Sequence, residues 1–277
     1  MKISTIFFLA LLLITGCASD DSSKEPSIEE RKAEVYYNQG TSELIAKNYQ
    51  QALTNLLKAK ELNSKDSKIR NNLGMSYYFR QQPKLAVTEL KEAISLDEKN
   101  TDAKMNLATI YLETNNLKDA KKMYELVLQD LTYPALFRVH YNLALLNLKI
   151  GDRKSAFQEL QKSIQEKEDY CPAHFKMGTL YSEEYRYQEA NTSFVNSTKG
   201  TCVSNPETHF AVANSLINLN KNNEAKAKLK EIIEKFPKSN FKILAEKKLK
   251  SIELNQQSEN ISTEQINPDN SIESPKF

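Results

Sequence analysis

The sequence contains no tryptophan, and glycine is scarce, with six residues in 277. No Gly-rich loop that could hold a phosphate group is present, which excludes the common nucleotide-binding motifs. The net charge is only +2 with both signs interspersed, which argues against a nucleic-acid-binding surface. The apolar run from Ile6 to Ile14 is far shorter than the ~20 residues of a membrane-spanning helix. Lysine, glutamate, leucine, alanine and asparagine dominate instead, which is typical of an all-helical protein.

The N-terminal segment has the features of a bacterial export signal, because the apolar run ends in Ile14-Thr15-Gly16-Cys17. This ending resembles the lipobox of bacterial lipoproteins. The resemblance implies that residues 1–16 are a signal peptide and that Cys17 carries a diacylglyceryl group and an N-linked acyl chain such as palmitate, which together hold a protein on a membrane. Ala18 stands where an aspartate tends to retain lipoproteins at the inner membrane, so we expect the periplasmic face of the outer membrane. The alternative is an ordinary secretory signal in which Cys17 falls by chance.

Two polar segments flank the body of the chain. Residues 17–32 follow the signal and include a proline but no apolar period, so we expect a solvated tether. Residues 255–277 are rich in asparagine, serine, glutamine and glutamate, with few apolar side chains. Such a composition buries too little surface to offset the entropy of ordering, which predicts a disordered tail.

Small residues recur along the chain every 34 to 36 residues. The first series is Gly40, Gly74, Ala108, Ala144, Gly178 and Ala213. Alanine follows each of them after twelve residues, at Ala52, Ala86, Ala120, Ala156, Ala190 and Ala225. A large apolar residue comes four positions later, at Leu56, Leu90, Tyr124, Leu160, Phe194 and Leu229. A period of this length predicts an array of helical repeats.

Each unit is predicted to be two antiparallel helices, A and B, whose small residues face each other where the two axes come closest. Tyrosines at 77, 111 and 181, three residues after the first small position, complete a pattern that resembles the tetratricopeptide repeat over residues 33–237. The resemblance implies an all-α fold, a right-handed superhelix of about six repeats with a C-terminal capping helix. Each repeat then contacts only its neighbours, and the A helices line a concave groove.

The repeat domain is predicted at residues 33–254. Its repeats lie near 33–66, 67–100, 101–136, 137–170, 171–205 and 206–237, and the capping helix covers 240–254. Helix A of each repeat is expected near 33–46, 67–80, 101–114, 137–149, 171–184 and 206–219. The step of 36 after the third repeat places two extra residues near Leu131–Pro134, which predicts a longer turn between repeats.

The concave groove is the candidate protein-binding site. Asparagines recur at the sixth position of the first four repeats, at Asn38, Asn72, Asn106 and Asn142, where they could bond an extended peptide or simply follow the family pattern. The apolar and aromatic groove positions are Tyr37, Met75, Tyr78, Phe79, Met105, Leu112, Tyr141, Leu145 and Leu148. Exposed apolar surface on this scale usually marks a partner site, although some of it could pack between helices.

No arrangement in the sequence predicts catalysis, a cofactor or a metal site. His140, His174 and His209 fall at the same position of consecutive repeats, about 10 Å apart at the packing distance of helices. One zinc ion cannot bind ligands so far apart, because zinc–nitrogen bonds are only ~2 Å long. We therefore expect the histidines to be packing residues and the protein not to be an enzyme.

Cys171 and Cys202 are the remaining cysteines. Cys171 opens helix A of the fifth repeat, and Cys202 precedes helix A of the sixth, so both lie at the same end of adjacent repeats. The ~5.5 Å Cα spacing of a disulfide is reachable there, and an exported protein meets an oxidising compartment. We predict a disulfide, with two free thiols as the alternative.

The whole arrangement of lipobox, tether, repeats and late cysteine pair resembles the outer-membrane lipoproteins of type IV pilus biogenesis, the pilotins that assist assembly of the secretin ring. The unit from Asn71 to Asn100 and the stretch Cys171–Gly178 carry most of the resemblance. It implies a scaffold whose partner is a secretin or another outer-membrane assembly component. The alternatives are a scaffold in outer-membrane β-barrel assembly and an adaptor for peptidoglycan enzymes.

The lipobox gives the first prediction. Cys17→Ala removes the sulfur atom of the lipobox that would carry the thioether lipid, so the variant should leave the outer-membrane fraction and fail to label with an alkyne fatty acid. The unchanged protein in the same fractionation is the control. A variant that still labels and still sediments with the outer membrane would show that the lipobox interpretation is wrong.

Overall fold

The structure is a computed structural model that describes residues 25–265, with side chains up to residue 258. Cys17, the predicted signal peptide and the last part of the predicted tail lie outside the described residues. Thirteen α-helices form the described part, which confirms the predicted all-α fold. None of these helices is both long enough and apolar enough to cross a membrane.

The helices alternate between the two members of each repeat. The A helices are α1 (Ile28–Ile45), α3 (Ser67–Phe79), α5 (Thr101–Glu113), α7 (Leu136–Lys149), α9 (Cys171–Glu183) and α11 (Pro206–Asn218). The B helices are α2 (Tyr49–Leu62), α4 (Pro83–Leu96), α6 (Leu117–Val127), α8 (Arg153–Glu166), α10 (Tyr187–Ser197) and α12 (Asn222–Lys235). The last helix is α13 (Asn240–Gln265), and a 3-10 turn covers Gly200–Cys202.

The first helix begins earlier than the sequence analysis predicted. The Ser27 hydroxyl accepts a hydrogen bond from the Glu30 N–H at 3.1 Å, and the Glu30 carboxylate accepts one from the Ser27 N–H at 2.7 Å. This reciprocal capping box satisfies two backbone donors and starts the helix at Ile28. The prediction of a solvated tether is therefore wrong for residues 28–32, which belong to α1.

The last helix is longer than predicted. Residues 255–265 continue α13, so the prediction of a disordered tail is wrong for them. The sequence has no glycine after Gly200 and no proline between Pro237 and Pro268, and glutamine and glutamate are good helix formers. The helix can therefore extend beyond the part that packs against α12 without a residue that would stop it.

The turn from helix A to helix B has the same backbone conformation in all six repeats. One residue in each turn has a positive φ between 57° and 86°, at Lys47, Gln81, Asn115, Gly151, Tyr185 and Asn220. In repeat two the N–H of Gln82 then donates to the Tyr77 carbonyl at 2.9 Å, and that of Gln81 to Tyr78 at 2.9 Å. This left-handed cap closes helix A and reverses the chain within three residues.

The small residue of helix A lies against the large apolar residue of helix B. A Cβ on Gly74 would lie 2.8 Å from Leu90 Cγ and 3.2 Å from the backbone oxygen of Ala86. On Gly178 it would lie 2.7 Å from the ring of Phe194. The glycine of helix A therefore faces the alanine of helix B, as expected at Gly74 and Ala86, and it also admits the large side chain of helix B.

Cys171 and Cys202 form a disulfide with a Cα–Cα distance of 6.0 Å, as predicted. Cys171 is fully buried at the start of α9, and Cys202 lies in the 3-10 turn before α11. The turn from 198 to 205 is twice as long as most turns between repeats, like the turn from 128 to 135. The disulfide ties this long turn to the fifth repeat.

The Gly178 contact gives a second prediction. Gly178→Ala should lower the free energy of unfolding by ~1–3 kcal/mol, because the new Cβ forces the Phe194 ring to move in a packed core. Ala144 with Leu160 shows that alanine is accommodated beside leucine in the fourth repeat. Gly178→Ala combined with Phe194→Leu should therefore recover part of the loss. Chemical denaturation of the two single variants and the double variant measures the coupling, and strictly additive losses would contradict the contact.

The disulfide gives a third prediction. Cys202→Ser should destabilise the chain by ~3.5 kcal/mol, the loop-closure value for a sequence separation of 31 residues. Because each repeat contacts only its neighbours, hydrogen exchange should rise in α9–α13 more than in α1–α6. Thiol labelling of denatured, non-reduced protein taken directly from cells provides the control. Two free thiols in that protein would contradict the disulfide.

Candidate protein-binding groove

The A helices line the inner side of the superhelix. Successive A helices contact each other directly, α1 with α3, α3 with α5 and α5 with α7. The B helices of the described part make no comparable contact with one another. We call the surface along the A helices the concave groove, and it contains the positions that the sequence analysis selected.

The asparagine positions connect neighbouring A helices. The Asn72 side-chain N–H donates to Thr41 Oγ1 at 2.8 Å, and that of Asn106 donates to the side-chain oxygen of Asn71 at 2.9 Å. Asn142 donates to Thr109 Oγ1 at 3.4 Å. These three asparagines therefore already use one donor to hold adjacent repeats together. Asn38, in the first repeat, is exposed and has no such bond.

Most of the predicted apolar positions are only partly open to solvent. Tyr37, Met75, Tyr78, Tyr141, Leu145 and Leu148 are half-buried. Tyr78 and Leu145 pack against the buried core of repeats two to four, and Tyr141 packs edge-on against Tyr170 at 5.6 Å between ring centroids. Tyr78, Leu145 and Tyr141 thus support the fold and remain partly open to solvent.

Two of the predicted groove residues are core residues. Met105 is 5% exposed and Leu112 is 4% exposed, and both belong to the central apolar cluster. The prediction that they line an open groove is wrong, because both side chains are packed inside this cluster rather than at the surface. A helix with apolar residues on most of its faces is buried on most of its faces.

Phe79 is the most open aromatic residue of the predicted set. It is 41% exposed and stacks on Tyr49 with ring centroids 4.7 Å apart. Tyr78 beside it donates its hydroxyl hydrogen to Glu113 on the next A helix. Burial, and then the Glu113 carboxylate, raise the pKa of Tyr78 to about 12, so this hydroxyl remains a donor at neutral pH.

A polar cleft of about 510 Å³ opens beside repeats one to three. Its lining includes Tyr37 and Asn72, which were predicted, and Lys68, Asp102 and Tyr133, which were not. The Tyr133 hydroxyl donates to Asp102 at 3.0 Å, and burial together with this carboxylate raises the pKa of Tyr133. Tyr133 comes from the inserted turn, so the insertion supplies one wall of the cleft. The spacing of the repeats predicted the insertion but not which surface the inserted turn would lie on.

A second cleft of about 570 Å³ lies on the convex side between α8 and α10. Met177 and Tyr181 of α9 contribute to its floor, and Gln161, Gln165 and Gln188 line its rim. Glutamines on the outer face of a helix look like ordinary solvent-exposed residues in the sequence, so the sequence did not predict that they line a cleft.

The three histidines have separate partners. His140 Nδ1 lies 2.7 Å from Glu159, whereas the Nε2 atoms of His174 and His209 lie 2.8 Å and 2.9 Å from backbone carbonyl oxygens. Burial lowers the pKa of His209, whose buried Nδ1 has no hydrogen-bond partner. No group of histidine, cysteine and carboxylate side chains in the part that the structure describes could hold a metal ion.

Sequence models of the tetratricopeptide repeat match residues 80–135, 137–170 and 207–239. No curated protein matches the chain. Among solved structures, that of PilF from Pseudomonas aeruginosa has a TM-score of 0.67 at 20% identity, over 80% of this chain and 98% of that chain.

Two further structures share the fold. PilW, described as a widely conserved type IV pilus biogenesis factor, has a TM-score of 0.66 at 15% identity, over 79% of this chain and 97% of that chain. The Cut9–Hcn1 structure of the APC/C has a TM-score of 0.63 at 15% identity, over 80% of this chain but 43% of that chain. The chain is thus built of tetratricopeptide repeats, stacked into an all-helical superhelix.

Proposed function

We propose that the protein is a non-catalytic scaffold, held by lipid at the periplasmic face of the outer membrane, that assists assembly of a type IV pilus secretin. The observation that carries the proposal is the concave groove, whose aromatic and amide side chains run across four consecutive repeats. The groove and its polar cleft together suit a segment of another protein better than a small molecule, because they are long and open.

The pilus assignment is supported by two likenesses. PilW, a type IV pilus biogenesis factor by its description, shares the fold over nearly its whole chain. The ending Ile14–Cys17 resembles a lipobox, which fits a component that works at a membrane. A secretin subunit is the partner that fits both a pilus role and a membrane location, because a secretin ring assembles in the outer membrane.

The proposed mechanism is an increase in local concentration. A membrane-held scaffold that binds one segment of each secretin subunit brings subunits together at the surface where the ring forms. No bond is made or broken in this role, and no cofactor is needed. The binding energy comes from the partly open aromatic side chains and from amide groups that bond the backbone of the bound segment.

The groove gives a fourth prediction. Phe79→Ala removes an exposed ring that packs against Tyr49 and Tyr78, and Tyr78→Ala together with Phe79→Ala removes the whole aromatic pair. The double variant should weaken secretin binding by ~2 kcal/mol or more, as expected of a hot spot. Secretin multimers on an unboiled gel should decrease while monomers persist. Because Tyr78 also packs against the core, circular dichroism and thermal unfolding must confirm that the variant is folded.

Tyr185→Ala is the matched control, because Tyr185 is 79% exposed and lies in the fifth repeat, away from Phe79. It should leave both binding and multimers unchanged. Normal multimers in the folded Phe79 variants would contradict the groove as the secretin site. Normal multimers after deletion of the whole protein would contradict the secretin role itself and leave the other scaffold functions.

A further inference from the structure

The C-terminal end of the superhelix is strongly basic. Between residues 221 and 254 there are ten lysines and five glutamates, a net charge of +5. The complete chain has a net charge of +2, so the rest of the protein has a net charge of −3. The lysines of α13 and of the turn before it are Lys238, Lys242, Lys247, Lys248 and Lys250. This end is therefore the part of the chain that most strongly attracts anions.

The outer face of α13 carries aliphatic side chains among these lysines. Ala245 and Ile252 are buried against the core and define the inner face of the helix. Ile243, Lys247, Lys250 and Leu254 follow the spacing i, i+4, i+7 and i+11, which places them in one stripe on the opposite face. Ile243 is 52% exposed, Leu254 is 54% exposed, and Leu244 beside them is 44% exposed.

This face is unusual for the end of a repeat array. A terminal helix has no next repeat to cover it, so its outer face is normally polar, which keeps the protein soluble. Here Ile243 and Leu254 lie on that face, and Leu244 lies at its edge. A second surface over this face would remove part of the apolar area from water, which is favourable.

The lysines of the stripe are available to an anion. Lys242 lies 3.6 Å from Glu246 and Lys235 lies 2.9 Å from Glu231, so these two are paired. Lys247 and Lys250 are exposed and have no acidic partner within the described residues. The stripe itself contains no acidic residue; Glu246 and Glu253 border it on one side, and Leu244 borders it on the other.

A second copy of the chain does not fit this face. Two α13 helices packed through the stripe would place lysines against lysines, which is unfavourable at close range. A lipid surface fits both kinds of side chain at once. Aliphatic side chains enter the boundary between headgroups and acyl chains, while the flexible lysine stems extend towards the phosphates. The face is a convex helix surface, and it matches a planar partner better than a pocketed one.

We propose that the outer face of α13, formed by Ile243, Leu244, Lys247, Lys250 and Leu254, binds the surface of a membrane that contains anionic phospholipid. The lysines bind the phosphates and the three aliphatic side chains insert at the headgroup level. This contact is separate from the concave groove and from the lipid proposed at Cys17. It gives the C-terminal end of the superhelix its own attachment.

Vesicle sedimentation tests the proposal. The chain from residue 17 with Cys17→Ser contains every described helix and no acyl chain. It should bind vesicles of phosphatidylcholine with phosphatidylglycerol and not vesicles of phosphatidylcholine alone, and high salt should release it. Lys247→Glu together with Lys250→Glu should weaken binding at least ~20-fold, from about fivefold for each lysine near an anionic surface. Ile243→Ser together with Leu254→Ser should also weaken binding while circular dichroism stays unchanged.

Lys118→Glu together with Lys121→Glu on α6 is the matched control, with the same change in net charge on exposed positions of another helix. It should leave vesicle binding unchanged. An equal loss in this control would overturn the proposal, as would the absence of binding to anionic vesicles. A dimer in sedimentation velocity that the Ile243→Ser and Leu254→Ser variant abolishes would show that a second copy covers the face. Because the readout is vesicle binding and not secretin multimers, the membrane proposal and the secretin proposal can fail separately.

Discussion

The close approach of the two helices in each repeat is the constraint on which the rest of the structure depends. At Gly40, Gly74 and Gly178 no Cβ can be added without a contact below 3.0 Å to the large side chain of helix B. The alanine of helix B is fully buried in every repeat. These positions set the distance between the helices, and the same distance repeated six times determines the superhelix and its inner surface.

This packing gives the side chains of the groove two roles. Because the A helices touch on the inner side, the side chains that face a partner also join neighbouring repeats. Asn72 and Asn106 each donate one side-chain amide hydrogen to the preceding A helix. Tyr78 donates its hydroxyl hydrogen to Glu113 on the following A helix. A partner therefore meets a surface whose side chains are held in place before binding, which reduces the entropy lost on association.

The two ends of the molecule differ in their chemistry. The first helix begins with a capping box and several acidic residues, and the segment before it leads to the predicted lipid. The last helix continues past its packing partner and carries unpaired lysines and exposed aliphatic side chains. The middle of the stack, between these ends, contains the groove, the inserted turn and the disulfide-bonded turn.

The sequence by itself determined the helical class, the number of repeats and the start of most A helices. It could do so because a small residue every 34 to 36 positions is a steric requirement of each repeat and does not depend on distant contacts. It also placed Cys171 and Cys202 together, since equivalent ends of adjacent repeats are neighbours. Only the tertiary structure decided that Met105 and Leu112 are buried while Phe79 stays open. The exposure of a side chain depends on how each helix is rotated against its neighbours. The start of α1 depends on the capping hydrogen bonds at Ser27, and the length of α13 depends on the absence of glycine and proline from the part of the helix beyond its packed part. A repeat pattern contains neither kind of information.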